Sequence, residues 1–111
     1  METKQAINLI AISCQPYAEE SFNQWLDEIH IPMLLKYAGM TKVTRYKILT
    51  KTTNYPTYLM ISEFSDRRVL EEYENSPELA AARKEAKQTW QGGEFELVWR
   101  VQYEEIKAWV K

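Results

Sequence analysis

Two short runs apolar at nearly every position, two runs that alternate apolar with polar residues, and two stretches of helical period predict an α+β fold. Their order along the 111 residues is strand, helix, strand, strand, helix, strand. The apolar runs are residues 6–14 (AINLIAISC) and 55–64 (YPTYLMISEF), and the alternating runs are residues 40–51 and 95–106. A strand apolar on both sides is covered on both faces, whereas an alternating strand has one wet face. The first and third strands are therefore expected at the centre of a four-stranded antiparallel sheet. The second and fourth are expected at its edges, with both helices on one face.

Each element has a local reason. The Ile-rich first strand stops at Gln15-Pro16. Phe22, Leu26, Ile29 and Met33 then recur at spacings of four and three, which makes one helical face. Glu19 and Glu20 fall in the first turn, where the helix dipole favours anions. Pro32 lacks an N–H and disfavours helical geometry at Ile31, so the helix is expected to end or kink near His30. A short second turn then runs through Lys36, and Gly39 is read as its stop. The second strand places Val43, Arg45, Lys47 and Leu49 on one side and Lys42, Thr44, Tyr46 and Ile48 on the other. Thr52-Thr53-Asn54 is the turn of a hairpin. Ser65 or Asp66 caps the second helical stretch, with Val69, Leu70 and Tyr73 inward, and Ser76-Pro77 restarts it. Leu79, Ala82, Ala86 and Trp90 continue the stripe to Gly92-Gly93. In the last strand Phe95, Leu97, Trp99, Val101 and Tyr103 are expected on one face. Glu96, Arg100, Gln102 and Glu104 are expected on the other, with Val98 among them.

This βαββαβ order is the split pattern of ferredoxin-like folds, and the length fits one domain over residues 1–111. With 45% hydrophobic and 27% charged residues, an ordinary core needs neither disulfide nor metal to hold it. A net charge of −2 with mixed signs argues against nucleic acid as a partner. No apolar run approaches the roughly 18 residues of a membrane span, and residues 1–5 carry no signal-peptide pattern. One cysteine, Cys14, makes no internal disulfide, so a cytoplasmic location is expected. The apolar central strand leaves the helix-free face of the sheet in need of a cover. The simplest cover is a second copy, hence a homodimer through the open sheet face.

Residues 25–34 (WLDEIHIPML), followed by Ala38-Gly39-Met40 and Arg45-Tyr46, resemble the dimeric α/β-barrel superfamily. The likeness is nearest to its EthD-like and muconolactone-isomerase-like families. Those families carry histidine, one residue, proline and an apolar pair at this place, and then proline-glycine. Here Ala38-Gly39 replaces proline-glycine, and Leu26 stands where EthD-like members often carry a further histidine. The resemblance covers the chain in element order. It implies a dimeric α/β barrel with a cavity between sheet and helices in each subunit. Members include isomerases, cofactor-independent monooxygenases, haem-linked enzymes and proteins of no known activity.

The candidate chemistry centres on His30, the one histidine. An imidazole exchanges protons near neutral pH, and the resemblance places it at the cavity. The alternative is an inert histidine at a helix end, held by the dipole. Tyr46 offers a hydroxyl and Arg45 a carboxylate clamp, but neighbours on a strand face opposite ways and only one of them can face the cavity. Trp25, Met33, Tyr58, Trp90 and Trp99 are the candidate ligand-binding residues, suited to a flat hydrophobic or aromatic molecule; the alternative is that they fill the core and the dimer interface. Cys14 has no histidine or basic cluster near it in sequence and reads as a small buried hydrophobe. No carboxylate or thiol stands at ligand spacing from His30, which argues against a metal site. A single histidine can be an axial haem ligand, but nothing else points to haem, and no cofactor is expected. The function expected from the resemblance is an isomerase or cofactor-independent monooxygenase acting on an aromatic-derived or lactone-like compound. The rival is a non-catalytic binding or accessory protein using the same cavity.

Overall fold

The computed structural model describes residues 4–111; the first three residues of the polar 1–5 stretch lie outside the described residues. Four strands form one antiparallel sheet in the order β2-β3-β1-β4. The apolar strands β1 (Ala6–Cys14) and β3 (Tyr58–Phe64) are central, and β2 (Met40–Lys47) and β4 (Phe95–Glu104) are the edges. That placement follows from burial: an inner strand presents side chains to both faces of the sheet and has no wet side to spare. The protein has the ferredoxin-like arrangement of one sheet and one helical layer.

The helical layer begins with a 3-10 turn (Pro16–Ala18) and α1 (Glu19–Trp25). A π-helical turn (Leu26–His30) then leads into α2 (Ile31–Leu34). The chain does not break at Pro32. Pro32 has no N–H to give the carbonyl four residues back, and the ladder widens beside it: Ile31 N–H bonds Leu26 O, five residues away. The second helical stretch is two helices, α3 (Arg67–Tyr73) and α4 (Pro77–Thr89). Asp66 caps the first by accepting from Val69 N–H at 2.9 Å, and Ser76 caps the second by accepting from Leu79 N–H at 3.2 Å. Gly92 and Gly93, at φ 106° and 88°, turn the chain into β4 in a region that side chains disfavour.

Directly paired residues share a sheet face, so the register sorts the side chains. Ala6, Asn8, Ile10 and Ile12 of β1 face the helices with Tyr58, Met60, Ser62 and Phe64 of β3. Two buried clusters fill this layer. One joins Phe64, Met60 and Ala6 to Leu34, Leu70 and Tyr73. The other joins Ile12 and Tyr58 to Phe22, Trp25 and Leu26. Leu9, Ala11, Leu59 and Ile61 lie on the opposite, helix-free face.

Strand β4 departs from the uniform alternation expected of it. Ala11 pairs with Trp99 and Ile12 with Leu97, which makes Val98 the extra residue of a β-bulge. The bulge divides the expected single apolar face. Phe95 and Leu97 turn to the helices, together with Arg100 and Gln102, while Trp99, Val101 and Tyr103 lie on the open face. The hairpin is also longer than the turn read at residues 52–54. Strand β2 ends at Lys47 and β3 begins at Tyr58, although Ile48 N–H still bonds Thr57 O at 2.8 Å. Gly39 serves packing more than termination: a Cβ there would meet Val69 Cγ1 at 1.9 Å.

Candidate functional site

Between the sheet and the helical layer, on the β1–β4 side, lies a cavity of about 460 Å³. Its sheet wall is Asn8, Ile10 and Ile12 of β1, Met60 of β3, and Phe95, Leu97 and Arg100 of β4. The helical wall carries Phe22, Trp25, Leu26, His30 and Leu34. Tyr73, Leu79, Arg83, Ala86 and Lys87 close the far side. Leu97, Arg83, Lys87 and Arg100 are all exposed as well as lining it, so the cavity opens between α4 and the β4 edge. A volume of this size, apolar and with a few convergent polar groups, is typical of a small-molecule site.

The π-helical turn sets the position of His30. In a regular α-helix, residues five apart point well away from each other. The wider turn brings His30 onto Trp25, and the rings stack at 4.5 Å between centroids and 27° between planes. His30 Nδ1 is buried and has no hydrogen-bond partner among the described residues. Burial lowers the imidazole pKa below its ordinary 6.5, and the nearby Glu85 carboxylate pulls it partly back. Glu85 is held in turn by Trp25 Nε1–H at 2.8 Å and by the Thr89 hydroxyl. The imidazole is therefore neutral at pH 7, with a carboxylate near enough to favour the imidazolium when a proton arrives.

This burial has a consequence for stability. The unfolded chain takes up the histidine proton near 6.5, and the folded chain takes it up at lower pH. Between those two values the unfolded state holds more protons, so the contribution is complete above 6.5 and is lost as pH falls. The unfolding free energy is expected to drop on acidification from pH 7 more steeply in the wild type than in His30→Gln. Parallel denaturation curves for the two proteins at several pH values would contradict this.

At the other end of the cavity Asn8 is 2% exposed, and its Oδ1 accepts from Arg100 Nε–H at 3.1 Å. Arg100 also donates to Glu74, which accepts from Gln102 at 3.0 Å and lies 3.9 Å from Arg83. Burial pushes the Tyr73 phenol up to about 12, so it remains a donor at any physiological pH.

The structure thus brings together Trp25 and His30 among the residues singled out in the sequence. Tyr58 lies beneath α1, not in the cavity wall. Its hydroxyl donates to Glu19 and accepts from Asn23 at 3.3 Å. Met33 packs on the first buried cluster. Trp90 stands behind the wall, edge-on to Trp25 at 5.6 Å and to Phe22 at 6.1 Å. Arg45 takes the helix-facing side of β2, where it pairs with Asp27 at 2.8 Å and bonds Asn23, outside the cavity wall. Tyr46 and Trp99 lie on the open face, on either side of Leu59, in a separate groove of about 200 Å³. Cys14 is half-buried, and burial with the Glu19 charge raises its thiol pKa. No cluster of three His, Cys, Asp or Glu side chains among the described residues is placed to hold a metal. No helix among them is long and apolar enough to cross a membrane.

Asn8, Arg100, Arg83 and Tyr73 were not singled out by sequence. One signal was available for Asn8: a lone amide inside an aliphatic central strand must find a partner when it is buried. Arg100 gave none, because its face depends on the bulge at Val98.

A ferredoxin-like domain with a ligand-sized cavity under its helices is the class these features define. The chain belongs to the family described as "Domain of unknown function (DUF4286)", whose profile matches residues 5–109. No curated protein matches it. Solved structures share the fold at low identity. HapK from Hahella chejuensis aligns at a TM-score of 0.71 and 9% identity, over 96% of this chain and 97% of its own. An EthD family protein from Bacillus halodurans aligns at 0.67 and 19%, over 91% and 99%. A protein from Bacteroides fragilis described as dimeric, with a ferredoxin-like fold, aligns at 0.60 and 15%, over 91% and 96%. At these identities the likeness is one of fold.

Proposed function

We propose that the protein binds a small, largely apolar molecule, aromatic-derived or lactone-like, in the cavity under its helices, and that His30 exchanges a proton with it. The observation that carries this reading is the place of His30 in the wall of an apolar cavity, where burial favours the neutral imidazole and the buried Nδ1 has no hydrogen-bond partner among the described residues. A neutral imidazole is a base. It can take a proton from an activated C–H or a phenolic O–H and leave the electron pair on the ligand as an enolate, carbanion or phenolate. The imidazolium so formed lies against the Trp25 ring and near Glu85, both of which favour it. Return of the proton to a different carbon is isomerisation. Reaction of the anion with dioxygen is the opening step of a cofactor-independent oxygenation. Both therefore begin with the same proton transfer. Trp25 would form one face of the binding site, and Trp90 would support it from behind.

Butenolides, aryl ketones and polyhydroxyarenes incubated with the protein in deuterated buffer test the reading. Deuterium incorporation at the acidic C–H above the buffer rate, read by NMR, or product formation is the expected result. Binding without exchange or product would leave the alternative, a binding or accessory protein. No binding across the panel would overturn the reading as a whole.

Two copies are also proposed to pair through their open sheet faces, where Tyr46 and Trp99 would be interface residues rather than cavity residues. A cytoplasmic location fits the single free thiol of Cys14.

A further inference from the structure

Three cations meet at the mouth of the cavity. Arg83 and Lys87 stand four residues apart on α4 and so project side by side, and Arg100 reaches the same cavity from β4. Arg83 and Arg100 share one carboxylate, Glu74, which lies 3.9 Å from Arg83 and is hydrogen-bonded by Arg100. Lys87 has no carboxylate within ion-pair distance among the described residues. Glu85 is turned to Trp25 and Thr89 on the His30 side. The three cations that line the mouth therefore have one bonded carboxylate between them, while Phe22, Phe95 and Ile12 line the apolar interior. Asn8 fixes the Arg100 Nε–H from below, which holds the guanidinium plane against the wall instead of leaving it to swing in solvent.

We infer that the ligand is an anion, an apolar or aromatic body bearing a carboxylate, with the carboxylate at Arg83, Lys87 and Arg100 and the body directed inward past Leu97. The inference rests on the reading that the cavity binds a small apolar molecule, and it adds the charge and the orientation of that molecule. A carboxylate is preferred to a neutral amide of the same shape because charge-assisted bonds to guanidinium are about twice as strong as neutral ones. Raised salt weakens such a preference at an open mouth.

Calorimetric titration with acid–amide pairs, cinnamate against cinnamamide and 1-naphthoate against 1-naphthamide, tests it. The acid of at least one pair is expected to bind about tenfold more tightly than its amide at low salt, with the gap narrowing as salt is added. In Arg83→Gln/Lys87→Gln, whose altered side chains are solvent-exposed, the acid is expected to lose most of that advantage, read against the amide in the same variant. Equal binding of acid and amide overturns the anion inference and leaves the cavity reading standing, as does an advantage that survives the double substitution. No binding of any probe overturns both.

Discussion

Replacing His30 with glutamine is expected to slow proton transfer to and from a bound ligand by about 10²–10⁴-fold, the range typical of a lost general base. Ligand affinity should change by no more than a few-fold. Glutamine keeps a polar group of similar reach but does not take up a proton near neutral pH. Because Nδ1 has no partner among the described residues, the substitution breaks no hydrogen bond seen at that atom. What it removes from the structure is the stack on Trp25, an aromatic contact of about 0.5–1.5 kcal/mol. The loss should therefore appear in kcat and leave the ligand dissociation constant nearly intact. The pH profile separates a base from a merely structural residue. Wild-type exchange is expected to be level at neutral pH and to fall on acidification, because burial holds the histidine pKa below 6.5. The variant should show only the slow, flat background. Equal exchange rates in the two proteins would remove His30 from the chemistry.

The architecture was legible in sequence because each of its causes is local. The aliphatic runs of β1 and β3 and the mixed faces of β2 and β4 decide centre against edge. Ser65 or Asp66 and Ser76-Pro77 mark the helix starts by their capping chemistry, and the caps that form are Asp66 and Ser76. The cavity was less legible because its composition depends on departures from regular period. A helical wheel drawn at 3.6 residues per turn separates Trp25 from His30, and the π-helical turn reunites them. Strict alternation puts Trp99 with Phe95 and Leu97, whereas one inserted residue, Val98, sends Trp99 to the open face and leaves Arg100 beside Leu97 on the cavity side. Period-two reasoning carried past a bulge reverses every later side chain, and nothing in FELVWRVQYE announces the bulge. Arg45 shows a different limit. Its face was one of two open choices, and the side chain that reached the helical layer was taken by Asp27 and Asn23, a contact set by the packing of α1 and not by the strand.

Ile61→Arg is expected to convert a dimer into a folded monomer. Ile61 lies on the helix-free face of a central strand, between Leu9 and Thr44, and Val101 follows beyond Leu9 in the same row. The next row is Tyr46, Leu59, Ala11 and Trp99. The chain exposes 8000 Å², whereas a compact monomer of 13.2 kDa is expected to expose about 6,400 Å². Part of the excess belongs to the segments 48–57 and 105–111, which lie outside the four strands and are mostly exposed. Two such faces packed together would cover both rows, and an arginine at the centre would bring a large charged side chain into the apolar contact, which a stable interface does not withstand. In the monomer the same arginine points to solvent and leaves the helix-side core untouched, so the fold should survive with unchanged far-ultraviolet dichroism. Trp99→Glu, on the edge strand, provides a second disruption that does not depend on tolerance at a central strand. Sedimentation of the wild type as a dimer and of both variants as monomers is the expected result. A wild type that sediments as a monomer at high concentration would mean that the open face is covered by something other than a second copy.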